Sequence, residues 1–208
     1  SLCDIYLQTS GERFVLEEPP QELEAWELVN KGISLGNLGK QQEAIVCYDR
    51  ALVIDTRDAT AWISKGVTLE ELGLYKDAME CINKALEINP GFAVAWRNKG
   101  NVLGKLGKYR EAIECYNTAL EINPKFTEVW INKGIACMNL GRYQDEIACC
   151  NKALQINPVF TQAWLNKGAA LAHLGNYQEA VACLDRVLEM HPLDVDAWYN
   201  KGCIMASL

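Results

Sequence analysis

The sequence predicts an all-α protein built from antiparallel helix pairs stacked in tandem, and three observations carry that prediction. Gly32, Gly66, Gly100, Gly134, Gly168 and Gly202 recur 34 residues apart without a slip. Trp62, Trp96, Trp130, Trp164 and Trp198 keep the same interval, and so do Pro90, Pro124, Pro158 and Pro192. Between these columns the apolar residues recur with the period of a helix that buries one face. A fixed period of this length is the mark of a repeat array, in which no unit can bury its apolar stripe alone.

One unit shows each element in order. In residues 93–126, Trp96, Gly100, Leu103 and Leu106 mark one face of a first helix. Gly107 follows, free to adopt the left-handed backbone that ends a helix; Gly39, Gly73, Gly141 and Gly175 repeat it. A second helix runs from about Tyr109, with Ala112, Tyr116, Ala119 and Leu120 on its apolar side. Asn123 and Pro124 stop it, because proline has no amide hydrogen to continue the ladder. Gly100 and Ala112 are small where the two helices approach, and the tryptophan fills the gap towards the preceding unit. Equivalent units start near Ala25, Ala59, Ala93, Thr127 and Thr161, and a sixth first helix starts near Val195. The repeat domain is therefore expected over residues 25–208. In the first unit Leu28, Gln41 and Thr56 replace the tryptophan, tyrosine and proline, as expected of a terminal unit that caps a stack. Residues 1–24 lie outside the repeat. Residues 4–8 and 13–17 read as a small hairpin before Pro19 and Pro20. The chain starts at Ser1 rather than Met, as a trimmed chain would, and no polar capping helix follows Leu208.

Composition narrows the function classes. The 208 residues are half apolar and carry a net charge of −7. That is enough chain for a full core, and the acidic balance argues against a nucleic-acid binder, which needs a basic face. No run of 18 apolar residues exists to cross a membrane, and the N-terminus has no basic-then-apolar signal pattern. Nine cysteines, an odd number spread through helical patterns, point to a reducing, cytoplasmic compartment rather than a disulfide framework.

Trp, Gly four residues on, then Gly-x-Tyr, Ala, an aromatic, Ala and Pro at a 34-residue period resembles the tetratricopeptide repeat, over residues 25–208. The resemblance implies a right-handed α-solenoid whose first helices line a concave surface and whose second helices form the convex one. It implies a non-catalytic protein–protein interaction module that takes a peptide or a partner's helix in its groove. The groove residues are then Arg97, Asn98, Asn101, Lys105, Asn132, Gln162, Asn166, Tyr199 and Asn200, with Ile131, Ile135, Asn139, Glu70 and His173 among their neighbours. Asparagine suits this task because its amide both donates to and accepts from a bound backbone. A subset of the family grips a terminal carboxylate, and its positions fall here on Arg97, Asn101, Asn132, Gln162 and Asn166. The last two lack the expected positive charges, which weakens that reading.

Other features read as structural. Cys47, Cys81, Cys115, Cys149 and Cys183 form a column of half-buried packing residues, with no zinc spacing and with successive members too far apart for disulfides. The fourth unit breaks the pattern: Glu146 takes an alanine position, Cys137 a leucine position and Cys150 a tyrosine position. Because a buried lone carboxylate is costly, Glu146 is expected to find a partner such as Lys133 or to reach solvent. The lysine column (Lys31, Lys65, Lys99, Lys133, Lys167 and Lys201) is expected to lie along neighbouring side chains and pair within the chain. His173 has no evident acid or nucleophile beside it, and His191 falls where a helix cap is needed. No metal or cofactor is expected. The rival functions are self-assembly through the helix of residues 195–208 and service as the recruiting arm of a larger enzyme.

Overall fold

In the computed structural model, which describes residues 21–206, eleven helices follow one another, with no strand among the described residues. They are α1 (Gln21–Asn37), α2 (Gln41–Ile54), α3 (Ala59–Glu71), α4 (Tyr75–Ile88), α5 (Ala93–Lys105), α6 (Tyr109–Ile122), α7 (Thr127–Asn139), α8 (Tyr143–Ile156), α9 (Thr161–His173), α10 (Tyr177–Met190) and α11 (Val195–Met205). Ten of them make five hairpins, and α11 packs on the last as the first helix of a sixth. The hairpin read in residues 4–17 lies outside the described residues.

The column residues set where each helix stops. Gly107 takes a φ of 75°, and its equivalents lie between 73° and 79°. With Gly107 so turned, its N–H reaches the Gly104 carbonyl and the Lys108 N–H reaches Leu103. The final carbonyls of α5 are thereby satisfied by the left-handed closure that glycine accepts without strain. The second helices end on Asn89, Asn123 and Asn157, each in extended backbone and followed by proline. These asparagines accept a hydrogen bond from the backbone two residues on, which turns the chain into the next unit. Asp58 and Asp194 cap α3 and α11 with their carboxylates. His191 stands at the C-terminal cap of α10, as expected.

Packing inside a hairpin depends on small residues. Ala44, Ala78, Ala112 and Ala180 are fully buried, and Gly66 and Gly168 of the 34-residue column lie against the Ala78 and Ala180 carbonyls. A methyl group on Gly100 would stand 2.5 Å from the Tyr116 ring, and one on Gly32 2.5 Å from Tyr48. Between hairpins the tryptophans wedge. Trp62, Trp96 and Trp130 each pack against two successive apolar clusters. The indole N–H donates to the carbonyl six residues earlier, Pro90 for Trp96 and Pro124 for Trp130, which ties the inter-hairpin loop to the wedge. The lysine column settles as expected: Lys99, Lys133 and Lys167 lie over their tryptophan rings, and Lys65 and Lys201 also pair with Asp49 and Asp185.

The stack curves because its two faces differ. The backbone of each first helix approaches that of the first helix in the next unit, whereas the backbones of successive second helices stay further apart. The first helices are thus drawn together along a concave wall and the second helices fan out behind them.

Candidate functional site

The concave wall is open between α5 and α7. A cavity of about 380 Å³ opens there, and α3, α5, α6 and α7 all supply residues to it. Its centre is a hydrogen-bonded relay across three helices. The Tyr116 hydroxyl donates to the Asn101 side-chain oxygen at 3.0 Å, and the Asn132 amide donates to the same oxygen at 2.9 Å. Both lone pairs of that oxygen are thereby used. Tyr116 belongs to a second helix and reaches the groove only because Gly100 and Gly104 clear its path: the ring lies against Gly100, and the hydroxyl is the nearest group to Gly104. Burial pushes the Tyr116 phenol well above its ordinary range, so it remains a donor.

Around this relay the wall is mixed. Lys105 and Asn139 stand at the rim, with Ile135, Ala136 and Tyr109 as apolar surface. Glu70 closes the side nearest α3. Its carboxyl is raised by burial, against the pull of Lys105 and Arg97. Arg97 lies over the Phe126 ring at 5.2 Å and donates twice to the Asn98 side-chain oxygen.

The expected groove residues therefore separate. Asn101, Lys105 and Asn132 line one cavity. Asn200 lines a smaller one of about 300 Å³ with His173, Tyr177 and Cys203. Gln162 donates to the Asn166 oxygen at 2.7 Å and stays on the exposed surface. Tyr199 is exposed and belongs to neither cavity. Asn98 corrects the sequence reading: it is 2 % exposed and lies inside the wall, not on it. The amide nitrogens of Asn98 and Asn166 are buried without a hydrogen-bond partner. The reason is visible in the register. Asn132 finds Asn101 31 residues upstream, but the same offset from Asn98 and Asn166 meets Val67 and Ile135, which have nothing to accept a proton.

A second correction concerns Glu146. It neither pairs with Lys133 nor reaches solvent; it is 1 % exposed, and both carboxylate oxygens lack a partner. Its alanine-column position faces the interior of the hairpin, where Cys137 and Cys150 have vacated volume for it. Burial, reinforced by Cys137, raises its carboxyl to about 7. The cysteine column is also buried outright rather than half-buried.

Sequence reasoning missed the tyrosine relay and the stack of Tyr143 on His173, whose ring centres are 4.7 Å apart. The signal for the relay was present. Tyr48 and Tyr116 occur only in the units that carry a second glycine, Gly36 and Gly104, four residues after the first.

Known proteins fit this geometry. The sequence patterns of the tetratricopeptide repeat match residues 59–92 and 93–126, residues 115–148, and residues 132–199. No curated protein matches the chain in sequence. Among solved structures, YrrB, described as a TPR protein with an unusual peptide-binding site, is 25% identical. It aligns over 88% of this chain and 94% of its own, with a TM-score of 0.69. MamA is 24% identical over 76% of this chain and 92% of its own, with a TM-score of 0.69. PilF of Pseudomonas aeruginosa, at 20% identity, covers 91% of this chain and 90% of its own with a TM-score of 0.79.

Proposed function

The chain belongs to the tetratricopeptide repeat family, and from that premise we propose that it is a non-catalytic interaction module holding an extended peptide or a partner's helix in its concave groove. The observation that carries this reading is the cavity between α5 and α7. Lys105, Asn132 and Asn139 offer polar groups there beside the apolar surface of Ile135, Ala136 and Tyr109. An extended ligand needs that combination: donors for its carbonyls and apolar contact for alternate side chains. The likeness to YrrB, a TPR protein with a peptide-binding site, supports a peptide as the ligand. Lys105 and Arg97 both act on the Glu70 carboxyl of the same wall, so the charge of this region is largely balanced within the chain. The lack of cations at Gln162 and Asn166 argues against a dedicated carboxylate clamp. The buried free thiols fit the reducing, cytoplasmic setting we assign to it.

Selection from a displayed random-peptide library supplies a ligand, and titration calorimetry tests the site. Lys105→Ala combined with Ile135→Ala is expected to weaken binding at least about tenfold, as loss of two central contacts does. Both side chains are exposed, so the melting curve should hardly move. Unchanged affinity would remove the groove as the binding surface.

Self-assembly has one observation in its favour. Gly202 is the only glycine of its column with open space above it, and Trp198, Tyr199 and Met205 of α11 are exposed. Sedimentation across a concentration range separates the two readings, because a strict monomer leaves only the groove.

A further inference from the structure

A second cavity, of about 390 Å³, lies among α6, α7 and α8, and the groove reading does not use it. Two sulfurs line it, Cys137 of α7 and Cys149 of α8, with Lys133, Arg142 and Lys152 around them and Trp130 beside. Cys149 has equivalents in every hairpin, but the position twelve residues ahead of it is Leu35, Leu69, Leu103 and Leu171 in the other units. Only the fourth hairpin sets sulfur against sulfur. The Cys149 thiol donates a hydrogen bond to Cys137. The two helices pack closely one turn before Cys137, where a Cβ built on Gly134 would lie 3.4 Å from the Cys149 Cβ, and both sulfurs open onto the same cavity.

We propose that Cys137 and Cys149 are a redox-active dithiol that a hydroperoxide converts to a disulfide within the fourth hairpin. Cys137 is the attacking sulfur. The hydrogen bond from Cys149 lowers its thiol to about 7 against the effect of burial, and Arg142 and Lys133 assist. Cys149 keeps its proton, because that bond and burial both raise it. The Cys137 thiolate attacks the peroxide. An S–O bond forms, the O–O bond breaks, sulfur gives up two electrons, and the departing oxygen takes one proton from solvent and leaves as water from hydrogen peroxide or as an alcohol from an organic hydroperoxide. Cys149 then attacks the sulfenic sulfur. The S–S bond forms, the S–O bond breaks, and the hydroxyl leaves as a second water with the Cys149 proton. The cavity admits the oxidant, and Arg142 and Lys133 favour the thiolate against the opposing effect of Asp145, which lines the same cavity and pairs with Arg142. In the other units the cysteines of this column, Cys47, Cys81, Cys115 and Cys183, have leucine at the position that Cys137 takes here.

The test is brief exposure of the whole chain to hydrogen peroxide near neutral pH, followed by alkylation of the remaining thiols and peptide mapping by mass spectrometry. A peptide linked through Cys137 and Cys149 is expected to appear at least about tenfold faster than any other thiol is lost, the advantage of a half-ionised thiol over an ordinary one. Dithiothreitol should reverse it. Cys149→Ala should strand Cys137 as a sulfenic acid that dimedone captures. Cys137→Leu restores the residue of the other units, should keep the helical circular dichroism, and should abolish the fast loss. The proposal is overturned if Cys203 or another cysteine oxidises first, if Cys137→Leu loses thiols as fast as the parent, or if Cys137 stays alkylatable in the treated folded protein.

Discussion

The third and fourth hairpins share length, backbone and columns, yet their interiors hold polar groups differently. In the third, α5 and α6, the tyrosine ring lies flat on Gly100 and its hydroxyl enters a relay that satisfies Asn101 and Asn132. In the fourth, α7 and α8, Cys150 stands for that tyrosine, Ile135 for Asn101 and Glu146 for Ala112. The Glu146 carboxyl is left buried and unanswered there, and so is the Asn166 amide of α9 that faces the Ile135 register position, whereas in the third hairpin the Asn98 amide alone goes unpaired. The comparison separates what makes the scaffold from what fills it. Turn glycines, cap asparagines, prolines and wedge tryptophans fix the solenoid in both hairpins. The residues between them are free to diverge, because in a stack each unit leans on its neighbours and a local deficit is shared.

The sharpest way to break the comparison is to add one methyl group to each hairpin. Gly100→Ala drives a Cβ to 2.5 Å from the Tyr116 ring, deep in a filled interior. Overpacking of this kind costs about 3 kcal/mol, and the relay through Tyr116 should be lost with it. Gly134→Ala meets nothing closer than 3.4 Å. There the helix propensity of alanine over glycine, about 1 kcal/mol, should prevail or nearly cancel any strain. Urea unfolding followed by circular dichroism gives both values. Equal destabilisation would mean that the fourth hairpin is packed as tightly as the third.

Glu146 supplies the next largest effect and a pH signature. An unfolded glutamate ionises near 4.5, whereas this one is held to about 7 in the folded chain. A raised acid favours the folded state while it is protonated. Stability is therefore full below about pH 4.5, falls as the pH rises towards 7, and is level above it, as far as this group is concerned. The fall should be on the order of 3 kcal/mol. Glu146→Gln should remove that slope, so the difference between the two pH–stability curves isolates the group. Glu146→Ala should raise the melting temperature at pH 8, since it restores the column residue and withdraws an unpaired charge. A destabilised alanine variant with an unchanged slope would show that Glu146 has a partner in solution.

These two hairpins also show how far the sequence could be read. The helix pairs, their boundaries and the wedge role of tryptophan follow from strict columns, because backbone closure and close approach allow few residue types. The interior of the fourth unit did not follow. Cost alone argued that Glu146 must pair or escape, but its column position points inward regardless, and burial shifts its charge rather than moving the side chain. Asn98 misled for a related reason. An asparagine column reads as a row of groove donors, yet whether each is answered depends on the residue 31 positions upstream, which lies in another unit. The Tyr116 relay was legible only through a covariation of tyrosine with a second glycine inside one sequence, a weaker signal than a repeated column.

That dependence on the upstream residue gives the smallest and most specific contrast. Asn132 and Asn166 occupy the same position of successive units and differ in what they meet. Asn132→Ala removes a donor from Asn101 and should cost about 1 kcal/mol, the net worth of one satisfied hydrogen bond. Asn166→Leu removes an amide nitrogen that has no acceptor and replaces it with apolar volume beside the Ile135 register position. It should be neutral or slightly stabilising despite the loss of the Gln162 contact, which is exposed and weak. Replacing Ile135 with asparagine should reverse the second result, because Asn166 would then have an acceptor equivalent to Asn101. In the Ile135→Asn background, Asn166→Leu is expected to become destabilising. If it stays neutral there, register is not what decides which amides in this wall are satisfied.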